Sequence, residues 1–110
     1  MIKAEFFFED GHITGFNVKG HAGFAKAGKD IICASVSMLV INTINAIEKF
    51  TEDKIAYQAD EKGAIGLKIE NPGSEADLLL NTLLMGLESV RSEYGKKYIE
   101  IKKSQNHKEV

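Results

Sequence analysis

The stretch from Ile31 to Ile47 constrains the fold more than any other part of the chain. Ile31, Ile32, Ala34, Val36, Met38, Leu39, Val40, Ile41, Ile44, Ala46 and Ile47 are all apolar, and Asp30 stands directly before them. Asp30 is a good N-cap, because its carboxylate can accept an unpaired amide of a first turn, so the reading is a helix from Ile31 to about Phe50. Apolar residues cover nearly every side of that helix. It therefore demands a central position, cover on more than one face, or partial burial in a subunit interface. Ser35 and Ser37 interrupt the run between Ile31 and Ile41, which reads as too short to span a bilayer, and no membrane partner is expected.

The remaining elements must supply that cover. Ile2 to Phe8 reads as an aromatic-rich strand, and Asp10-Gly11 is the hairpin signal before a return strand from Ile13 to Lys19, with Ile13, Phe16 and Val18 as its apolar residues. Phe6, Phe7 and Phe8 are consecutive, so at least one must face away from the hairpin's core side. Gly20 to Lys29 reads as a loop. Lys54 to Ala59 and Ala64 to Ile69 form a second hairpin around Asp60-Glu61-Lys62-Gly63. Asn71-Pro72-Gly73 breaks the chain, and Ser74 with Asp77 resembles a capping box. The next helix carries Ala76, Leu79, Leu80, Leu83, Leu84, Leu87 and Val90 on one face and ends at Gly95. Tyr98 to Lys102 alternates as a last strand. The order β-β-α-β-β-α-β implies an α+β domain, a mainly antiparallel sheet with two long helices. Residues 1–103 form this single domain and 104–110 a polar C-terminal tail.

Composition excludes several classes of function. With 110 residues the chain has room for one domain with a modest core. The net charge of −2, with both signs interspersed, offers no basic field for nucleic acid and no polybasic run for anionic lipid. The N-terminal MIKAEFFFEDG lacks the plan of a signal peptide. A single cysteine cannot form an intramolecular disulfide, and zinc would need ligands that are missing, so neither metal nor cofactor is expected and a cytoplasmic setting is the simplest.

The chemistry-bearing residues lie in GHAGFAKAGKDIIC, residues 20–33. His21 closes a strand, and Cys33, the only cysteine, falls in the first turn of the apolar helix. With Asp30 as cap, Cys33 is the third helical residue, among the unpaired amides where the helix dipole favours a thiolate by about 0.3–1 kcal/mol. An imidazole within hydrogen-bond reach would complete the activation, and His21 is the candidate. Gly20, Gly23 and Gly28 give the loop freedom to fold back, with the pair best formed once substrate binds. The plainer alternatives are a small core cysteine and a solvated histidine. Asp30 could cap the helix, orient His21 or repel a thiolate. Ser37, one turn beyond Cys33, could bond to the thiolate or back to the helix backbone. Gly23 to Asp30 also approaches a phosphate-binding loop, but Asp30 stands where Ser or Thr should be, and the preceding strand reads as part of a hairpin. His12 and His107 fall in a turn and in the tail.

These residues are familiar as a set. GHAGFAKAGKDIICASVS resembles the signature of the ribosomal-processing cysteine protease family, Prp, with Gly20, His21, Ala22, Gly28, Asp30, Cys33, Ala34, Val36 and Ser37 all in place. The resemblance implies a bacterial cytoplasmic cysteine endopeptidase that removes an N-terminal extension from a large-subunit ribosomal protein precursor. It implies Cys33 as nucleophile, His21 as general base, a supporting part for Asp30 and Ser37, and a substrate loop containing Gly20, Ala22, Gly23 and Gly28. It also implies a homodimer with a two-helix α+β fold. The alternative of a different class is a non-catalytic ribosome-assembly or protein-interaction module that uses the loop and the aromatic edge for binding.

Overall fold

The computed structural model describes residues 1–20, 29–60 and 63–105. The order is β1 (Ile2–Glu9), β2 (His12–Lys19), α1 (Lys29–Phe50), β3 (Ile55–Ala59), β4 (Ile65–Ile69), α2 (Ser74–Tyr94) and β5 (Ile99–Gln105). The strands form one five-stranded sheet in the order β3-β4-β2-β1-β5. Every neighbouring pair is antiparallel except β1 with β5, which is parallel. This is the expected α+β architecture and element order.

The β1–β2 hairpin turns on Asp10 and Gly11, with φ of 51° and 80°. Two consecutive positive φ values define the tight turn whose twist matches the flanking strands, which is why Asp-Gly occupies it. Beyond the turn the register slips by one residue between Phe7 and Phe8, so Thr14 has no register partner on β1, and its hydroxyl donates to the Phe7 carbonyl at 3.4 Å. This β-bulge explains an oddity of the sequence: Ile13 and Phe16 are three residues apart, yet both are buried. Phe6 and Phe16 then meet across the strands with ring centroids 5.8 Å apart. Phe7, opposite Gly15 on one side and Ser104 on the other, takes the other sheet face and is half-buried.

Both helices pack against one face of the sheet. α1 buries Ile32, Val36, Val40, Ile44 and Ile47, a stripe at helical spacing. α2 buries Ala76, Leu80, Leu83, Leu84, Leu87 and Val90, as its periodicity predicts. Gly86 lets the helices approach, since a Cβ there would stand 3.3 Å from Leu39 Cδ1. Residues 31–50 of α1 have a mean hydropathy of 1.7 and are long and apolar enough, by length and composition, to cross a membrane. That is a longer apolar run than the interruptions at Ser35 and Ser37 suggested. Its Val36–Val40–Ile47 stripe is nonetheless committed to the domain core.

Three local expectations need correction. α1 begins at Lys29, so Asp30 lies inside the first turn and is not the cap residue; an acidic residue suits any position there, which makes its sequence signal imprecise. The Ser74–Asp77 capping box is absent, because Ser74 is already helical and Gly73 is the N-cap without a side-chain bond. Asp77 accepts the Ile13 N–H instead, at 2.9 Å. β5 extends to Gln105, and Ser104 Oγ donates to Glu5 Oε2 at 2.5 Å, so both residues assigned to the start of the tail belong to the sheet. The turn residues Glu61 and Lys62, and tail residues 106–110 with His107, lie outside the described residues.

Candidate active site

Two elements build the site: the C-terminal end of β2 and the N-terminal turn of α1. Gly20 follows β2 with φ +83°, a conformation that side chains strain. A Cβ at Gly20 would also stand 2.7 Å from the Met1 carbonyl oxygen. Glycine is therefore required here twice over, by dihedral and by space. The sequence reading gave Gly20 the looser task of loop freedom; its packing against Met1 left no signal in the sequence.

Cys33 is the fifth residue of α1. It is half-buried and packs against the hydrophobic core. Its Sγ lies 4.0 Å from the Gly20 carbonyl oxygen, a long contact in which the thiol donates. The sulfur is thus fixed beside the residue that immediately precedes His21 in the chain. His21, Ala22, Gly23 and Gly28 lie outside the described residues.

The start of α1 at Lys29 corrects the third-residue position expected for Cys33. In α2 the fourth helical residue, Asp77, already donates its amide to the N-cap Gly73; by the same geometry Cys33, the fifth residue of α1, lies beyond the unpaired amides of the helix start. The thiol stands at the far edge of the first turn, where the dipole's influence is already falling off. Ser37 follows one turn later, half-buried on the same side of the helix.

A hollow of about 330 Å³ opens at this end of the sheet, lined by Met1, Arg91, Lys96, Ile99, Glu100 and Ile101. Met1 links it to the site, because Met1 also walls Gly20. The sequence offered no signal for it, since its lining comes from β5, the end of α2 and the first residue. Among the described residues no cluster of His, Cys, Asp or Glu is arranged to hold a metal ion.

A half-buried thiol where a strand end meets a helix start is a candidate nucleophile, and comparison with known proteins bears on its class. The family model for cysteine protease Prp matches residues 1–100. The chain belongs to that family. It is 30% identical over 88 residues to the ribosomal processing cysteine protease Prp of Staphylococcus aureus, covering 78% of this chain and 83% of the relative. The Bacillus subtilis protein of the same name is 29% identical over 92 residues, covering 77% and 81%. The crystal structure of the S. aureus Prp in complex with a substrate peptide superposes with a TM-score of 0.86 at 27% identity, covering 94% of this chain and 100% of that one. The same protease has also been solved with a covalently linked product peptide.

Proposed function

We propose that this cysteine peptidase removes an N-terminal extension from a large-subunit ribosomal protein precursor, with Cys33 as nucleophile and His21 as general base. The observation that carries the reading is the Cys33 sulfur, held 4.0 Å from the carbonyl of the residue before His21. The S. aureus and B. subtilis relatives, named ribosomal processing cysteine proteases, support the substrate class.

The steps follow from the chemistry of the two groups. His21 takes the thiol proton, and the sulfur attacks the scissile carbonyl carbon, forming an S–C bond and an oxyanion. Amides of the first turn of α1, unpaired within the helix, stabilise that oxyanion. His21 returns the proton to the leaving amine as the C–N bond breaks. Water, deprotonated by His21, then cleaves the thioester and restores the thiol. Residues 20–28, with Gly20, Ala22, Gly23 and Gly28, contact the substrate. Ser37 hydrogen-bonds toward the thiolate, and Asp30 supports the electrostatics of the same turn.

The enzyme acts in the cytoplasm as a homodimer. Exposed Met38 and Ile41 on α1 support self-association, since large apolar side chains left in water mark contact surfaces.

The reading is tested on a synthetic peptide spanning the junction of an extended ribosomal protein. Cys33→Ala and His21→Ala should each lower cleavage by about 10³-fold or more while the folded circular dichroism spectrum persists. Cleavage by the Cys33→Ala protein at the wild-type rate would overturn the assignment.

A further inference from the structure

The hollow at the end of the sheet follows the outer edge of β5. Three consecutive residues of that strand, Ile99, Glu100 and Ile101, line it, together with Met1, Lys96 and Arg91 from the last turn of α2. β5 is the last strand of the sheet and pairs only with β1. One bond sets the direction of its backbone groups. The Ile2 N–H donates to the Tyr98 carbonyl at 2.9 Å, while Ile2 itself aligns with Ile99. In a parallel ladder a residue bonds to the two neighbours of its register partner, so Tyr98 and Glu100 turn their backbone toward β1. Ile99 and Ile101 turn theirs outward, where they meet no other backbone group among the described residues. The next outward residue, Lys103, is tied to α2 by its ion pair with Glu88 at 3.8 Å.

Arg91 is half-buried, and among the described residues neither it nor Lys96 makes an ion pair. A guanidinium carries five N–H donors in a planar fork that suits carbonyl and carboxylate oxygens, and partial burial makes an unmet donor costly. A cation suits the last turn of a helix for its own sake. The dipole does not account for a hollow that has outward main-chain groups along β5 and an unpaired guanidinium beside them.

We propose that the hollow holds an extended segment of the peptide substrate, paired through its main chain with Ile99 and Ile101 and held at one carbonyl or carboxylate oxygen by Arg91. This rests on the peptidase reading and adds a second place of contact, away from the scissile bond. Addition of a peptide to a strand edge is a general mode of recognition, in which main-chain bonds supply the affinity.

The strand spacing says which part of the substrate is involved. A Cβ on Gly20 would stand 3.5 Å from Ile2 Cα, and Ile2 aligns with Ile99, so these residues form a row across the sheet. A strand added beyond β5 lies three strand spacings from Gly20, about 14 Å. Extended chain covers that distance in about four residues. With the scissile bond at Cys33, beside the Gly20 carbonyl, the segment in the hollow begins about four residues from the cut.

Two series of synthetic peptides test the assignment, each spanning the junction of an extended ribosomal protein and trimmed from one end only. In one of the two series, shortening the flank from about eight residues to about three should lower kcat/KM by at least about tenfold. Arg91→Gln should shrink the advantage of the long peptide over the short one by about threefold or more, chiefly through KM, whereas damage to the fold would slow both peptides alike. An unchanged ratio overturns the part given to Arg91. The long peptide bound uncleaved to the Cys33→Ala protein should slow amide hydrogen exchange at Ile99 and Ile101 by at least about tenfold. Equal cleavage of long and short peptides in both series, or no protection of these two amides at saturating peptide, overturns the hollow as a binding site and leaves the peptidase reading intact. A wild-type protein that cleaves none of the peptides overturns both.

Discussion

The Cys33 thiol donates to the Gly20 carbonyl across 4.0 Å, joining the first turn of α1 to the last residue described at the end of β2. The two residues are 13 positions apart in sequence. The contact depends on Gly20 keeping a positive φ against the Met1 carbonyl, so the surroundings of the thiol are set by a residue with no side chain.

Gly20→Ala should therefore impair the enzyme by a route separate from chemistry. The new methyl must escape both the φ of +83° and a 2.7 Å approach to backbone. The expected loss is about 1–3 kcal/mol of stability, read by urea denaturation. Displacing the end of β2 should also lower peptide cleavage by about 10²-fold, even at temperatures where the variant is fully folded.

Two other glycines should respond with opposite signs. A Cβ at Gly15 would meet the Leu67 carbonyl oxygen at 2.5 Å, and backbone in the middle of a sheet has nowhere to go. Gly15→Ala should cost about 2–4 kcal/mol. At Gly86 the neighbour is a terminal methyl of Leu39 at 3.3 Å, which can rotate aside. Gly86→Ala should gain up to about 1 kcal/mol from helix propensity. Paired thermal melts of the two variants check the contrast.

Asp77 ties the start of α2 to the first hairpin. Its Oδ1 accepts the Ile13 N–H at 2.9 Å, and its Oδ2 lies 3.3 Å from His12 Nδ1. Asp77→Ala should cost about 1–2 kcal/mol and speed amide exchange at Ile13. His12→Ala should change stability by less than about 0.5 kcal/mol, because the imidazole is 60% exposed and water competes for its partner.

Leu80→Ala offers a measure of the core. The side chain is fully buried, and its truncation should cost about 2–5 kcal/mol by denaturant titration.

Much of this architecture could be read from local pattern. The Asp10-Gly11 turn, the Leu80–Leu87 stripe and the stop at Gly95 all announce themselves within a few residues, since each is enforced by local geometry. The errors arose where a residue had a distant partner. Ser74 and Asp77 look like a cap until Ile13, 64 residues away in sequence, claims the carboxylate. Ser104 looks like tail until Glu5 binds it. At the site, Cys33 and its helix were legible from the pattern beginning at Asp30. The true helix start was not, because Lys29 and Asp30 both tolerate either side of the boundary. Met1's contact with Gly20 was beyond any spacing argument.

The parallel pairing of β1 with β5 bears on when the molecule becomes an enzyme. Ile2 aligns with Ile99, and Glu5 bonds to Ser104 across 99 positions of chain. While the chain is being synthesised, the first hairpin and α1 can assemble early, but one flank of β1 stays bare until β5 emerges. The hollow bounded by Met1, Arg91 and Ile99 to Ile101 opens on that flank. Such long-range closure is slow compared with hairpin and helix formation. A nascent chain would therefore carry its thiol well before the strand that follows Met1, whose carbonyl walls Gly20, is paired on both sides, so the completed sheet comes last.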